Sequence, residues 1–559
     1  MKKFIYKSLI ALGALVLSTA TSCVGDLDLE PNDPNSTGQI ADSEALLGIL
    51  NKCYSCLAVS GQGGPNGASD VDGLDGGTGQ YTRAWFMMNE FTTDESKWIW
   101  KDVGVAELNT NSWDASTATI YGTYSRFYVH ISICNDFLKN AGDSEDAQLM
   151  KLEARTLRAL SYFNAIDIFG NASFIDENAE VGANPVQKTR RELYDWLTAE
   201  LEDIVAQFKA KNRPVNYGRV GIDGAEALLA RLYLNAKVYT DGAVDGYAKC
   251  AEHCENIIAR HQGGGFEGSG LANHYLYLFC GNNEDYMPGG SNSAENEILW
   301  GIPYDSEFVQ PYGGTMFLIA AAIKNMDRTE PSDPYMSMLD YGISSQWGCM
   351  HATASFADKF ATDDPSNDVR WSMWCREANG FKKENTNFSE FTDGYAIIKF
   401  TNLKKGTNGE WSPENGGIYD ATGSKAAVTT SFPNTDLPLF RLADVYLMYA
   451  ECNVVGHVGD ASKALTYANY IRHRAGVKEW EAKDLTADNI LDERARELYW
   501  ECCRRTDLIR FGKYASGSYV WAFKGNVDAG AAFSEHRNLF PIPTNVLSAQ
   551  PEFQQNPGY

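Results

Sequence analysis

The chain has few of the residue arrangements that catalysis and metal binding depend on. Its eight histidines include no His-Glu-x-x-His pair, and no Gly-x-Ser-x-Gly elbow occurs, which removes the common zinc-protease and serine-hydrolase signatures. The glycines from Gly263 to Gly270 lack the Lys-Ser/Thr of a phosphate loop and read as a connector. Cys53-x-x-Cys56 has no second pair at zinc spacing. The run Asp70-Val71-Asp72-Gly73-Leu74-Asp75 starts like a calcium loop, but its twelfth position is Tyr81 instead of a bidentate glutamate, so a structural calcium has no motif behind it. Cationic patches are absent too. With a net charge of −25, nucleic acid and other polyanions are excluded as partners, whereas a neutral polymer meets no such barrier. No cofactor is implied. Glycosidase chemistry would need two carboxylates at a set separation, and nothing in the 73 acidic residues singles out such a pair.

The N-terminus carries an address. Lys2 and Lys3 precede an apolar run from Leu9 to Leu17, too short to span a bilayer, followed by small residues and Cys23. This is the pattern of a bacterial lipoprotein signal over residues 1–22, with the Cys23 thiol as the acylated first residue of the mature chain. Several acyl chains anchor stably where one would not. An acidic, Pro/Asn-rich tether follows over 23–42. The other eleven cysteines are scattered and read as buried free thiols.

Beyond the tether, helical periodicity dominates. Ser43 to Leu57, Ile120 to Asn140, Glu145 to Phe169, Arg190 to Lys211, Asp223 to Tyr239 and Gly246 to His261 each read as a helix, within a region 43–262. From 263 to 436 the chain is rich in Gly, Asn, Asp and Trp, with short strands expected at Glu297–Ile302 and Tyr395–Phe400; long irregular stretches of this kind usually carry function. The helices resume at Leu437 and run through the C-terminal region 437–559. There Leu442, Val445, Tyr446, Tyr449 and Ala450 form one apolar stripe, Gly459-Asp460 breaks the chain, and Ala461, Ala464, Leu465, Ala468 and Ile471 answer it. That is a helical hairpin of roughly the 34-residue tetratricopeptide repeat length. The expected fold is mostly α, a scaffold of tetratricopeptide-like repeats with an irregular, loop-rich insertion carrying short strands. Asp492, Arg496, Glu501 and Arg505 place opposite charges four apart and read as a surface or inter-helix ion-pair network.

What the chain has in abundance is aromatics: 13 Trp, 29 Tyr and 26 Phe. Core filling accounts for most, and Trp85, Trp98, Trp113 and Tyr54 read as packing residues, with Trp98 able to assist Trp100 if strand alternation points both the same way. Others stand in Gly/Asp-rich, loop-like sequence: Trp100, Tyr312 in Gln310-Pro311-Tyr312-Gly313-Gly314, and Trp347 in Ser345-Gln346-Trp347-Gly348. Sugar rings have apolar faces and polar edges, so flat aromatics beside planar hydrogen-bonding side chains suit them.

Leu437–Cys452, Asn469–Gly476, Glu493–Glu497, Arg504–Phe511 and the tail Asn538–Pro543 and Gln555–Tyr559 together resemble the SusD/RagB family of surface glycan-binding lipoproteins. Asp75–Arg83, Thr93-Asp94-Glu95 through Asn109-Thr110-Asn111, Tyr312 to Ala320 and Lys399–Leu403 resemble its starch-binding subgroup. The resemblance covers essentially the whole mature chain. It implies a non-catalytic protein on the outer membrane that binds α-1,4-glucan (starch, maltooligosaccharides) and passes it to a SusC-like TonB-dependent transporter. It also implies an arc of Trp100, Tyr312 and Trp347, with Asp75 and Arg83 bonding sugar hydroxyls. A family member binding another glycan or a peptide, and a surface glycoside hydrolase, remain open.

Overall fold

The computed structural model describes residues 43–65, 69–180, 182–284, 294–322, 342–360, 368–371, 373–374, 382–397, 399–402, 411–412, 417–418 and 430–559. Cys23, the leader and the tether lie outside the described residues. Helices dominate, and the strands form only two-stranded antiparallel pairs. None of the described helices is long and apolar enough to cross a membrane.

The periodicity expectations hold across the first half. Helices run over Ser43–Ala58, Ala118–Asn140, Glu145–Ile168, Arg190–Lys211 and Tyr247–His261. Ala118–Asn140 packs against Glu145–Ile168 as a hairpin, and the latter, buried on every side from Thr156 onward, packs in turn on Ser43–Ala58 and Arg190–Lys211. The helix expected over 223–239 is divided: Ile222–Leu234 ends at Asn235, which has left the helical region, and a short turn Ala236–Tyr239 follows. The C-terminal hairpin is Leu442–Val454 and Ala461–Arg474. Its break is built locally. Gly459 takes φ of +76°, where a side chain is strained, and the Asp460 carboxylate accepts from the Ser462 and Lys463 amides as N-cap. One hydrophobic core extends from Leu46 to Ile542.

Three expectations are corrected. Leu437–Arg441 is a strand, antiparallel to Ile298–Ile302, and the helix begins only at Leu442. Pro438 sits at a register shift in that ladder, a place where a missing N–H is tolerated. Two helices were hidden from the periodicity reading, Tyr81–Glu90 and Gly314–Ala322, because nearly every residue in each is buried and no polar face alternates with the apolar one. The strand expected over 395–400 shrinks to Ala396–Ile397.

The four-apart ladder does not form either. Asp492 pairs with Lys359, Arg496 with Glu493, Glu501 with Lys399 and Arg441, and Arg505 with Asp167. Apart from the half-exposed Asp492–Lys359 pair, the network lies inside the protein and ties separate elements together. Arg370, Arg441, Arg472 and Arg474 surround Glu297, Glu493 and Glu497, all essentially without solvent exposure. The charged signature residues that mark the C-terminal region are thus an interior lattice joining the strand, the hairpin and the helix Ala487–Leu498. Ten free cysteines are described, nine of them buried, in line with the thiol reading.

Glu90 and Glu95 are both buried and close enough to titrate together. Burial, and for Glu90 also the charge of Glu95, push both carboxyls up, Glu95 to about 7 against the opposing Arg504 charge. A carboxyl that holds its proton in the folded chain longer than in the unfolded one adds stability at low pH, and this is lost as pH rises from about 4.5 through 7. Glu90→Gln should therefore flatten this part of the profile: urea denaturation at pH 5 and 7.5 should show a larger fall in the wild type than in E90Q.

Candidate functional site

The site is assembled from four stretches of chain that meet beside the helix Gly314–Ala322. The first is the loop carrying Asp75. Its carboxylate folds the loop on itself, accepting from the amides of Gly77 (2.9 Å) and Thr78 (3.0 Å) and from the Thr78 hydroxyl (2.5 Å). Desolvation raises the Asp75 carboxyl, but the Thr78 and Gly77 bonds and the Arg83 charge outweigh it and hold it below its ordinary value. Gln80 then caps the helix Tyr81–Glu90 by accepting from the Arg83 amide (2.8 Å), while its own amide reaches Leu57 O (2.7 Å) and Ala58 O (3.0 Å).

The second stretch carries Trp98 and Trp100. Lys97–Trp98 pairs with Met350–His351, and the strand ends there, so alternation never reaches Trp100. Trp98 is buried, held by Asn109, whose amide bonds both Trp98 N (3.1 Å) and Trp98 O (2.7 Å), and by Asp102, which accepts from its indole N–H (2.6 Å). Trp100 lies edge-to-face against Trp98, 5.6 Å between centroids, with 37% of its surface exposed. Trp98 therefore supports Trp100 and offers no face of its own; Trp85 and Trp113 are buried elsewhere in the core. Asp102→Ala would leave a buried indole N–H unpaired, and urea denaturation should record a loss of about 1–3 kcal/mol.

The third and fourth stretches bring Trp347 and Tyr312. The Trp347 and Gly348 amides both donate to Ala320 O, at 2.7 and 3.2 Å, so the last carbonyls of the helix Gly314–Ala322 hold the Trp347 turn, in which Gly348 takes φ of +54°. Tyr312 precedes the same helix. Its ring is backed by Phe432, 5.4 Å away. Gly77 allows these loops to close up: a Cβ there would lie 2.8 Å from Arg83 Nη1 and 3.1 Å from Tyr312 Cβ.

The three aromatics are brought together in the order Trp100, Trp347, Tyr312. Ring centroids are 5.9 Å apart for the first pair and 6.2 Å for the second, with interplanar angles of 36° and 53°. Each ring is thus inclined to its neighbour and not coplanar with it, and Trp347 and Tyr312 are half-buried. Asp75 is exposed beside them. Arg83 sits lower. It is buried, donates to Tyr312 O (3.2 Å), and its guanidinium lies over Phe317 (4.8 Å) and Trp98 (5.2 Å). Burial pulls its pKa down against the charges of Asp75 and Asp102. Sequence reasoning assigned no role to Phe317, Phe432 or Asp102, since each acts behind the surface. Thr93-Asp94-Glu95 turns away from the site: Asp94 binds Arg504, and Glu95 accepts from the Trp500 amide.

The profile of the SusD family matches residues 296–559. The starch-binding protein SusD of Bacteroides thetaiotaomicron is 31% identical, with 98% of each chain covered, and a SusD-like protein of Bacteroides ovatus is 23% identical over 78% of this chain and 74% of its own. Among solved structures, surface glycan-binding protein A of Bacteroides thetaiotaomicron, in complex with laminarihexaose, superposes with a TM-score of 0.62 at 21% identity, covering 92% of this chain and 99% of its own. A SusD superfamily protein of Bacteroides vulgatus gives 0.63 at 20%, over 92% and 99%. With near-complete coverage at 31% identity, the chain belongs to the SusD family.

Proposed function

We propose that this protein is a non-catalytic, surface-exposed glycan-binding lipoprotein whose ligand is α-1,4-glucan. It is anchored in the outer membrane through Cys23 and delivers starch and maltooligosaccharides to a SusC-like TonB-dependent transporter. The observation that carries the reading is the run Trp100–Trp347–Tyr312, three neighbouring rings each inclined to the next, an arrangement that suits a helical α-glucan. A flat platform would suit a straight chain better. The name of the 31%-identical relative, a starch-binding protein, supports the same ligand. Asp75 hydrogen-bonds sugar hydroxyls at the rim, and Arg83 contributes from below by fixing the Tyr312 backbone.

Affinity per site is modest, because stacking and exposed hydroxyl bonds yield little once sugar ordering is subtracted; multivalent chains offset this through avidity. The laminarihexaose bound by a fold neighbour favours a second reading, a different glucan linkage on the same scaffold. Native electrophoresis through amylopectin, dextran and β-glucan gels separates the two: retardation by amylopectin alone supports the proposal, and retardation by β-glucan without amylopectin overturns it. Reducing-sugar release from starch at an amylase-like rate would overturn the non-catalytic assignment.

A further inference from the structure

The two most exposed large apolar side chains among the described residues are Phe308, at 84%, and Val103, at 75%. Single exposed apolar residues are ordinary on protein surfaces. These two, however, belong to the segments that carry the ends of the arc: Val103 follows Trp100 by three residues and Phe308 precedes Tyr312 by four. The Phe308 end is the better built. The Asp305 carboxylate accepts from the Glu307 amide (2.7 Å) and the Phe308 amide (2.9 Å), and Val309 N–H donates to Asp305 O (3.0 Å). The turn is then tied to the rest of the protein through the Ser306 amide, which donates to Asn434 Oδ1 (3.0 Å). Asn434 lies two residues from Phe432, which backs the Tyr312 ring. One segment thus anchors both Tyr312 and the turn bearing Phe308, and the four-residue link between them spans at most about 14 Å.

We propose that Phe308 is an outer stacking position for the glycan, met by sugar units that continue beyond Tyr312. It selects for chain length, so short oligosaccharides fill the arc alone and longer ones also gain the Phe308 face. The proposal rests on the glycan reading of the arc. A phenyl ring held out in water on a hydrogen-bonded turn, four residues along the chain from Tyr312, is suited to the apolar face of a sugar ring, and it adds affinity only once that face is covered.

The test is calorimetric titration of the mature protein with maltotriose and with maltoheptaose, for the wild type, Phe308→Ala, Phe308→Trp and Trp100→Ala. Phe308 is so exposed that neither replacement endangers folding. The expected result is roughly three- to tenfold weaker binding of maltoheptaose by F308A, with maltotriose unchanged and F308W at least equal to wild type. Unchanged binding of both ligands by F308A overturns the outer position and leaves the arc standing; this is also the outcome if Phe308 serves a protein partner. Equal weakening of both ligands overturns it as well, since Phe308 would then act by holding Tyr312. If Trp100→Ala leaves both ligands bound as before, the arc reading itself fails and takes the outer position with it.

Discussion

Replacing Trp100 and Trp347 together by alanine is expected to abolish retardation in amylopectin gels. The two rings are neighbours in the arc, 5.9 Å apart, and Trp347 alone touches both other members. Their removal leaves Tyr312 as an isolated ring with no arc for the glucan to follow. Each stacked aromatic is worth about 0.5–1.5 kcal/mol beyond the area it covers. Two of them make roughly 1–3 kcal/mol, or about 5- to 150-fold in affinity, which a weak site cannot lose and still slow a protein through a gel. The fold should survive, because Trp100 is 37% exposed and Trp347 is half-buried, while the buried Trp98, Phe317 and Phe91 beneath remain in mutual contact. Coincident thermal transitions for variant and wild type would show this. Intact retardation in the double variant would sink the arc even though the family assignment stands.

How much of this was legible beforehand differs between scaffold and site. The helices 43–58, 190–211 and 247–261 were readable because each buries one stripe and leaves much of the rest in water, so period 3.6 is written in the residues. Tyr81–Glu90 and Gly314–Ala322 are buried all round and carry no such record. Leu437–Arg441 looked like the start of a helix because its neighbours are helical; only its pairing with Ile298–Ile302, some 140 residues earlier, makes it a strand. The aromatics of the arc were legible as a set, since loops rich in Gly and Asp gave them nowhere to be buried. Their order, inclination and support were not. These depend on Ala320 holding Trp347, on Asp102 holding Trp98 and on Arg83 holding Tyr312, contacts between segments up to 229 positions apart. The charged signature was read as a surface or inter-helix network. Its inter-element character held, whereas its burial was not legible, since a one-dimensional pattern does not show which charges lose their water.

Arg441→Met is expected to be the most damaging single change to stability. Arg441 has no solvent exposure and reaches five acceptors on three stretches of chain: Glu297 Oε1 at 2.6 Å, Glu497 Oε1 at 3.0 Å, the Glu497 carbonyl at 3.1 Å, and both oxygens of Glu501 at 2.7 and 2.8 Å. Methionine approximates the volume of its stem, so little of the loss comes from a cavity. The loss comes from the carboxylates left behind. Glu297 and Glu497 keep Arg474, and Glu497 keeps Arg370, but Glu501 retains, among the described residues, only the Lys399 ammonium. Removing one member of a buried ion cluster costs about 3–5 kcal/mol, because the remaining charges are stranded in low dielectric, even where the intact cluster adds little over an apolar core. Urea denaturation, or collapse of soluble yield, should report it. The companion substitution discriminates the cause: Glu501→Gln in the R441M background removes one stranded charge and should restore part of the loss. If the double variant is no more stable than R441M, the cost is one of packing and the electrostatic account is wrong. The arc lies on other segments, so whatever fraction of R441M folds should still bind amylopectin, which separates the lattice that holds the scaffold from the loops that hold the sugar.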